Sequence, residues 1–476
     1  DLKAKINRFY KMQLLKIGSR HYAVFVKWGR TGVKGGSYKA ASHYRHAEDF
    51  RLTIYHSLDR AKDFFYTKFS KMTGNDWDTR DDFEKLPGKY LLIELSTGKE
   101  TSKKPFSSTT DSSGPSCGLE PRVRKLVELI FDGKLLKESL LEHNVDLENM
   151  PLGKLKYDQI LDGFEVLKEI ETILNDQRRE TAAGIADPRI AQAKLEEAST
   201  RFFTIIPATD PSIIDDFDVL KVRMEMMDVL MDLEANSSIL EKQDQTSGKH
   251  QLDKNYESLN TDAVALEEKT DEYNMVVEYI NNLHGKHEFG YSLSVIDVFR
   301  VQRKGEDAIF EPWKNDHNRQ LLWHGSRVTN FMGILSQGLR IAPPEAPVSG
   351  YLFGKGVYFA NVVSKSANYC RTTRSAPTGL MLLSEVALGK MFEVKGPTYM
   401  DKARPGYHST KCMGQTYPNP AGNLTLPNGC VVPMGTPGPK GGQPCGYMGH
   451  DEFIVYNTKQ ISMKYLVKLK FGFSQY

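Results

Sequence analysis

The segment at residues 97–115 constrains the fold more than any other feature, because its composition cannot contribute to a hydrophobic core. It reads TGKETSKKPFSSTTDSSGP and is rich in Ser, Thr, Lys, Gly and Pro. Such a composition is typical of a linker. The 476 residues are also too many for one core and predict about two to four domains. We therefore expect a first domain at 1–96 and a flexible linker at 97–116.

The overall composition is typical of a soluble globular protein, with 40% apolar and 26% charged residues. No stretch approaches the roughly 18 apolar residues of a membrane span, and no secretory segment opens the chain, so we expect no membrane partner. The five cysteines are sparse and never spaced Cys-x-x-Cys. This argues against a disulfide framework or a structural zinc site and favours the nucleus or cytosol. Because the first residue is Asp1 rather than Met, we expect a piece of a longer protein.

The net charge of +3 is unevenly distributed along the chain. Residues 1–110 carry 22 Lys and Arg against 12 Asp and Glu, a balance of +10, so the remainder carries −7. A basic N-terminal domain on an acidic remainder suggests a polyanionic partner. A solvated basic surface without a partner is the alternative.

Hydrophobic patterns predict a small α+β domain at 1–96. Aromatic and β-branched runs at 9–15 and 21–28 predict strands, and residues 58–72 have the spacing of a helix. We expect a closing strand at 90–95.

Residues 117–243 predict an all-α bundle, because their apolar residues recur at helical spacing. We interpret the methionines among them as core residues rather than as a ligand surface. The three stripes are Val123, Leu126, Val127, Leu129 and Ile130; Ile160, Phe164, Leu167, Ile170 and Ile173; and Leu220, Met224, Met227 and Met231.

Residues 250–476 predict a second α+β domain with mixed, largely antiparallel sheets and few helices. We interpret the Gly- and Pro-rich residues 412–450 as a long loop, either functional or mobile. The expected strands are 293–301, 320–323, 356–360, 380–387, 452–456 and 464–471.

Residues 321–327, LLWHGSR, place His324 and Gly325 at the end of an apolar strand. A His in that position can hold a ligand hydroxyl, and Gly325 lets backbone groups approach a planar amide closely. An ordinary hydrogen-bonded His is the alternative.

Residues 350–370 are rich in glycine but match neither the dinucleotide-binding nor the P-loop pattern. Ser364 is expected to cap a helix. Tyr358 and Tyr369 can sandwich a flat heterocycle while Ser366 bonds its polar edge. Alternatively, both tyrosines are core residues with satisfied hydroxyls.

Residues 451–457, DEFIVYN, place Glu452 at the start of an apolar strand. Burial there penalises a carboxylate, so its presence needs a reason. Catalysis by a carboxylate with a shifted pKa is one reason, and an exposed position at a sheet edge is the other.

Together these segments resemble the catalytic domain of the poly(ADP-ribose) polymerases over residues 321–476. HGSR, GLRIAPPEAPVSGYLFGKGVYFA, SKSANYC, LLSEVALG and the Glu452 strand follow one another in that order. Residues 117–240, with MPLGKL and RFFTIIP, resemble the helical regulatory domain of the DNA-dependent members. The N-terminal domain, with Trp-Gly-Arg at 28–30, TGNDW and PGKY, resembles the WGR domain.

The resemblance implies an enzyme that displaces nicotinamide from NAD+ and transfers ADP-ribose, with NAD+ as substrate and no metal. Mono-transferring relatives usually lack the glutamate, so Glu452 predicts polymer formation. The implied catalytic residues are Glu452, His324, Tyr358 and Lys365. The implied NAD+-binding residues are His324, Gly325, Ser326, Arg340, Tyr358, Ser366, Tyr369 and Asp232.

The resemblance also implies activation by DNA strand breaks. Trp28 would stack on an exposed sugar or base and Arg30 would bond a phosphate. The helix that carries Asp228 and Asp232 would cover the adenosine side of the NAD+ site until DNA binding unfolds the bundle locally. A core position for Trp28 and a solvated acidic face for the aspartates are the alternatives. The expected DNA contacts are Trp28, Gly29, Arg30 and Tyr90.

Expected partners are broken DNA and acceptor proteins, including the chain itself and chromatin proteins, in the nucleus. An accessory factor that completes a serine-modifying site is left open. Residues 40–56 look like an addition to the WGR domain, and residues 412–450 differ in composition from relatives, so the DNA-end preference and the choice of acceptor stay open. A mono-ADP-ribosyltransferase and a non-catalytic scaffold on DNA breaks are the rival hypotheses, and the presence of His324, Tyr358 and Glu452 disfavours them.

Overall fold

The computed structural model describes residues 8–17, 21–30, 37–40, 43–46, 48–86, 88–92, 116–142, 155–185, 187–206, 208, 211–241, 248–284, 290–439 and 448–473. The chain forms two compact units. The first comprises residues 1–102, 137–234 and 345–349, and the second comprises residues 103–136, 235–344 and 350–476.

The helices of the described residues, α1 to α11, are Leu58–Thr73, Pro121–Ile130, Gly133–Glu142, Tyr157–Ala182, Pro188–Ile205, Phe217–Glu241, Gln251–Ser258, Asp271–Asn282, Glu306–Phe310, Phe331–Gln337 and Val363–Ala367. None of these helices is both long and apolar enough to cross a bilayer.

The strands of the same residues, β1 to β19, are Arg8–Ile17, His21–Arg30, Ser37–Ala40, His43–His46, Glu48–Tyr55, Thr261–Ala265, Tyr291–Arg303, Arg319–Ser326, Val357–Phe359, Thr378–Ala387, Met391–Val394, Ser409–Cys412, Gly414–Pro418, Leu424–Thr425, Val431–Val432, Pro437–Pro439, Met448–His450, Glu452–Val455 and Ile461–Phe473.

The N-terminal region is a three-stranded antiparallel sheet, β1-β2-β5, covered by α1. Side chains alternate between the two faces of a strand, so Val24 and Val26 of β2 point the same way and pack with Ala61 and Phe65 of α1. The strands expected at 9–15 and 21–28 and the helix expected at 58–72 are confirmed.

The closing strand expected at 90–95 is wrong for its described residues. Residues 90–92 form no strand, and residues 93–95 lie outside the described residues. The backbone N–H of Tyr90 instead donates to the carbonyl of Met72, close to the end of α1.

The helical part of the first unit contains α4, α5 and α6 as far as Glu234. Ile160, Phe164, Leu167 and Ile170 are buried at helical spacing along α4. The helix starts and stops follow local chemistry: α5 begins with Pro188 after an Asp187 cap, whose carboxylate accepts from the backbone N–H of Arg189 at 3.0 Å. Of the methionine stripe, Leu220, Met224 and Met227 are buried core residues.

A seven-stranded sheet, in the order β14-β15-β8-β10-β19-β7-β6, forms the centre of the second unit. The pairs from β8 through β10, β19, β7 and β6 are antiparallel, and β15 joins β8 in parallel. The predicted mixed, largely antiparallel architecture is therefore confirmed.

Both faces of this sheet are buried, which explains the nearly continuous apolar run of β10. Successive residues enter different cores: Leu322 and Leu382 pack with Phe299 in one, whereas Trp323 and Leu383 pack in the other. Helix α2 covers the first face with Val123, Leu126, Val127 and Ile130, and α8 covers the second with Met275, Val276, Tyr279 and Ile280.

A smaller sheet, β11-β12-β18-β9, carries the residues opposite β8. A bridge joins the two sheets: the backbone N–H of Trp323 donates to the carbonyl of Ala360 at 2.8 Å, and the return bond is 3.0 Å. The interpretation of 412–450 as a long loop is wrong for its described residues, which contain β13 to β17. Three of these, β16, β13 and β17, form a sheet of their own.

Candidate active site

The ends of β8, β9 and β18 meet α11 around a pocket in the second unit. The pocket has about 320 Å³ of unfilled space, part of it open solvent. Its lining brings together seven of the sequence-predicted site residues and two more, Phe359 and Ala360. The lining residues are His324, Gly325, Tyr358, Phe359, Ala360, Lys365, Ser366, Tyr369 and Glu452.

Gly325 and Ser366 form the most tightly packed corner of this pocket. A Cβ on Gly325 would lie 1.9 Å from the carbonyl oxygen of Ser366, so only glycine allows the two backbones to come so close. The Ser366 hydroxyl donates to the carbonyl of Trp323 at 2.9 Å and is buried. Its oxygen can still accept a hydrogen bond, so the corner suits a planar amide.

His324 is a half-buried side chain with a defined tautomer. Its Nδ1 lies 2.9 Å from the carbonyl oxygen of Tyr358. Because a carbonyl oxygen only accepts, Nδ1 carries the proton and Nε2 is left as an acceptor. Burial lowers the pKa of His324, against the opposing effect of the bond to Tyr358. The neutral imidazole therefore presents Nε2 to a hydroxyl donor.

Tyr358 has its hydroxyl satisfied by the backbone. The hydroxyl donates to the carbonyl of Gly354 at 2.6 Å and accepts from the N–H of Phe353 at 3.2 Å. Gly354 has φ +91°, and a Cβ there would lie 1.6 Å from the carbonyl oxygen of Met400. Burial raises the pKa of Tyr358, which keeps the phenol neutral. Tyr358 therefore offers the pocket its ring.

Tyr369 lies in a 3-10 turn at Asn368–Cys370, directly after α11, and is 55% exposed. Its exposure excludes the core alternative for this tyrosine. The prediction that Ser364 caps the helix is wrong, because α11 begins at Val363 with Val362 as its N-cap. Ser364 is buried, and its hydroxyl lies 2.8 Å from Nδ1 of His284.

Glu452 and Lys365 form a nearly buried ion pair. Glu452 is 5% exposed at the start of β18, and its Oε2 lies 3.4 Å from Lys365 Nζ. The same ammonium donates to the carbonyl of His450 at 3.2 Å. Burial raises the pKa of Glu452, and the charge of Lys365 opposes that change. Burial lowers the pKa of Lys365, and Glu452 opposes it.

The sequence analysis did not predict the contacts of the residues next to Glu452, namely Asp451 in the chain and Cys412 in the sheet. Asp451 is buried; its Oδ2 lies 3.0 Å from Lys411 Nζ, and its Oδ1 accepts from the N–H of Gly414 at 2.7 Å. A second acidic residue at the head of a buried strand was a signal for such contacts. Cys412 is paired with Glu452 in the sheet, and burial raises the pKa of its thiol to about 11. Nothing in the sequence indicated that position.

Three residues expected to bind NAD+ do not line the pocket. The Ser326 hydroxyl accepts from the side-chain amide of Asn330 at 3.0 Å. Arg340 is exposed after α10, and Asp232 is half-buried on α6 in the first unit. Their predicted role stays a prediction.

Two of the residues expected to contact DNA, Trp28 and Tyr90, both contact the ring of Tyr10. Tyr10 of β1 stacks on Trp28 with centroids 6.1 Å apart and contacts Tyr90 at 5.8 Å. Trp28 also packs against the sheet core, so the alternative of a core position holds for part of this side chain. Gly29 follows it in β2, and the side chain of Arg30 lies outside the described residues. Tyr10 was missed, because its position opposite Trp28 depends on the register of β1 against β2, which side-chain alternation alone does not fix.

Comparison with protein-family models assigns three regions of the chain. The model described as "Poly(ADP-ribose) polymerase catalytic domain" matches residues 270–471. The model "Poly(ADP-ribose) polymerase, regulatory domain" matches 117–256, and "WGR domain" matches 1–84. All nine residues that line the pocket lie within the first of these matches.

Curated relatives match nearly the whole chain. "Poly [ADP-ribose] polymerase 2" of Arabidopsis thaliana is 37% identical over 98% of this chain and 71% of its own length. The chain belongs to the poly(ADP-ribose) polymerase family. "Poly [ADP-ribose] polymerase 1" of Gallus gallus is 38% identical over 99% of the chain, and "Poly [ADP-ribose] polymerase" of Drosophila melanogaster is 37% identical over 100%. The chain spans less than half the length of these two relatives, 44% and 45%.

The family resemblance expected from the sequence is thus confirmed for the poly(ADP-ribose) polymerases as a family. Matches to proteins named polymerase 1 and polymerase 2 have nearly equal identity, 38% and 37%. The expected combination of a WGR domain, a regulatory domain and a catalytic domain is confirmed as well.

Proposed function

We propose that this chain breaks the bond between nicotinamide and ribose in NAD+ and builds poly(ADP-ribose) on protein acceptors, itself included. One observation carries the proposal. A neutral acceptor imidazole, a buried carboxylate paired with a lysine, and two tyrosine rings line one pocket. That pocket lies in the region that matches the polymerase catalytic domain.

In this proposal the Gly325–Ser366 corner holds the carboxamide of nicotinamide. Backbone groups of Gly325 and the Ser366 oxygen hydrogen-bond the amide, and the faces of Tyr369 and Tyr358 pack on the ring. The close approach of the two backbones, which excludes any Cβ at Gly325, supports this assignment.

Nε2 of His324 and the carboxylate of Glu452 then bind hydroxyls of the nicotinamide ribose. The bond between the anomeric carbon and the nicotinamide nitrogen breaks, and the transition state resembles an oxocarbenium ion. The negative charge of Glu452 stabilises that cation through the bonded 2′-hydroxyl. During elongation the same carboxylate orients the acceptor hydroxyl and accepts its proton, while the hydroxyl oxygen bonds to the anomeric carbon that nicotinamide has left. Lys365 holds Glu452 in place and favours its charged form.

The test is incubation of the chain with labelled NAD+, with and without nicked or 5′-phosphorylated DNA. We expect DNA-dependent incorporation of label into long chains on a denaturing gel. Single labelled units would favour the mono-transferring alternative. Complete absence of incorporation would favour a non-catalytic scaffold on DNA breaks.

For regulation, we propose that the helical region restrains the catalytic region until the WGR region binds a DNA break. Glu171 of α4 supports this idea, because it is buried and both of its carboxylate oxygens accept backbone N–H groups. The donors are Val348, at 2.8 Å, and Ser349, which belong to the first unit together with Glu171. Val348 and Ser349 begin the segment that leads along the chain to Tyr358, so Glu171 fixes the start of that segment within the first unit.

We propose that Ser326, Arg340 and Asp232 serve the adenosine half of NAD+ when that restraint is released. Trp28, Gly29, Arg30 and Tyr90 are proposed to contact DNA, and the basic balance of residues 1–110 supports a polyanionic partner. Nuclear localisation, chromatin acceptors and an accessory factor for serine acceptors are proposals of the same kind. The proposed chemistry uses side chains and backbone groups and includes no metal.

A further inference from the structure

Three side chains with metal-binding atoms meet outside the active site. One possible ligand atom each from Cys117, His250 and Asp253 lies within 4.8 Å of the other two, and all three residues are half-buried. Cys117 precedes α2, whereas Asp253 stands in the first turn of α7, 136 positions further along the chain. Tertiary folding within the second unit therefore assembles this cluster.

The spacing of two of these atoms already fits a tetrahedral ion. Cys117 Sγ lies 3.5 Å from Asp253 Oδ1. Zinc bonds of about 2.3 Å to sulfur and about 2.1 Å to oxygen, at a tetrahedral angle, place the two ligand atoms about 3.6 Å apart. The imidazole nitrogen, within 4.8 Å of both, needs a shift of about 1 Å to reach the same spacing.

We infer that Cys117, His250 and Asp253 bind a zinc ion, with water as the fourth ligand. The donor set decides the class of metal: thiolate and imidazole suit zinc, whereas calcium and magnesium prefer oxygen ligands alone. The absence of a Cys-x-x-Cys pattern does not count against this site, because its ligands come from two distant segments.

Neighbouring hydrogen bonds orient the carboxylate of Asp253 for metal binding but occupy Nδ1 of His250. The N–H of Gly118 donates to both oxygens of Asp253, at 3.1 and 3.3 Å, and fixes the carboxylate as an outer-shell partner would. Nδ1 of His250 accepts from the N–H of Leu252 at 3.1 Å and caps α7. A neutral imidazole has one lone pair, so the metal must displace this cap. Zinc then fastens the segment before α2 to α7 and loosens the first turn of α7.

The alternative is a thiol that donates to a carboxylate beside an ordinary helix cap. Titration of the metal-free full chain with Co²⁺ and then Zn²⁺ separates the two cases. We expect one equivalent of Co²⁺ with a thiolate-to-cobalt absorption band, which Zn²⁺ abolishes. Cys117→Ser and Asp253→Asn should each weaken binding by at least about tenfold, whereas His317→Gln, at an exposed histidine, should bind as the parent does. Binding without the thiolate band, or unchanged binding by both variants, would overturn the site.

A second measurement needs no substitution and so does not depend on the folding of variants. Zn²⁺ should slow the alkylation of Cys117 by iodoacetamide at least about tenfold, as followed by peptide mass spectrometry. Cys370, Cys412 and Cys430 are buried and serve as internal references. Equal alkylation of Cys117 with and without Zn²⁺ would count against the ion.

Discussion

The candidate pocket around His324 and Glu452 and the aromatic cluster of Tyr10, Trp28 and Tyr90 are built on different principles. In the pocket, polar side chains are tied to backbone groups at fixed distances, as with His324 at 2.9 Å and Ser366 at 2.9 Å. In the N-terminal cluster, rings contact one another at about 6 Å, with one pair stacked and the other tilted. Fixed hydrogen bonds leave little tolerance, whereas ring contacts can adjust. Single changes should therefore have steep effects in the pocket and graded effects in the cluster.

The steepest effect is expected for Glu452→Gln. Glutamine keeps the size of the side chain but cannot supply the negative charge that the proposed transition state and acceptor require. Chain elongation should fall by a factor on the order of 10²–10³, while NAD+ binding is retained. Polymer length on a denaturing gel and NAD+ binding by calorimetry measure the two effects. Glu393→Gln, at an exposed position of β11 in the same sheet, is the control. Long polymer from Glu452→Gln would remove this residue from the mechanism.

Gly325→Ala should be nearly as damaging, for a steric reason. The added Cβ would lie 1.9 Å from a backbone oxygen, so β8 or α11 must move. A displacement of about 1 Å at a reacting centre costs about 10²-fold in rate. The initial rate of nicotinamide release measures the loss. Gly333→Ala is the matched control, because its Cβ would find its nearest neighbours at 3.7 Å. Equal activity of the two variants would show that the corner is not closely fitted to the ligand.

Sequence patterns predicted much of this pocket because its parts are local. Short apolar runs predicted β8 and β10, and the segments with His324, Tyr358 and Glu452 could be recognised one at a time. The tie of Asp451 to Gly414 could not be predicted, because it depends on how β13 leaves β12. Short strands such as β16, Pro437–Pro439, look like a loop in the sequence, since proline is confined to edge or irregular strands.

The sequence also could not predict which distant elements pack against each other. The α2 stripe at Val123 and Leu126 has the periodicity of a bundle helix, yet it packs on the sheet with Phe299. Periodicity gives the buried face of a helix but not the partner of that face. The same reason conceals the cluster of Cys117 and Asp253.

Glu171→Gln tests whether a fixed hydrogen bond also controls the pocket from outside. Glutamine retains one acceptor oxygen for two donors, at Val348 and Ser349, so the loop should be released more easily. Basal activity without DNA should rise about tenfold, within the usual range of coupling energies. Glu169→Gln, two residues away on α4 in a surface pair with Arg201, should leave basal activity unchanged.

The measurement is NAD+ consumption without DNA, compared with the rate at saturating DNA. This substitution is a cleaner test than deletion of residues 117–240. The deletion would remove α2 and expose the sheet core that α2 covers. If Glu171→Gln and Glu169→Gln have the same basal rate, the contact does not restrain the enzyme.

Tyr10→Leu tests the graded side of the comparison. Leucine keeps an apolar contact with Trp28 and Tyr90 but loses the ring, so affinity for a nicked duplex should fall about threefold to tenfold. Since no cation is lost, the salt dependence of binding should stay the same. Lys68→Gln removes the ammonium that lies 5.9 Å from the Tyr10 ring, and it should reduce the salt slope by about one. Fluorescence anisotropy at several salt concentrations separates the two. If Tyr10→Leu weakened DNA binding about 10²-fold, as much as the pocket variants are expected to reduce activity, the two regions would not differ in their tolerance of single changes.

The smallest effect concerns pH and the Lys365–Glu452 pair. Burial raises the pKa of Glu452 above the ordinary glutamate range, and the charge of Lys365 lowers it. The proposed reaction needs the carboxylate, which exists only above that pKa, so activity should be lost as pH falls through a value above about 4.5.

Lys365→Met removes the lowering influence, so the pKa of Glu452 rises further and the acid limb moves up by about one pH unit. The measurement is kcat/KM against pH, read as the midpoint of the limb rather than as the absolute rate. Lys459→Met, at an exposed residue after β18, should leave the midpoint in place. A limb that stays fixed or moves to lower pH in Lys365→Met would mean that Glu452 is not the group whose ionisation sets it.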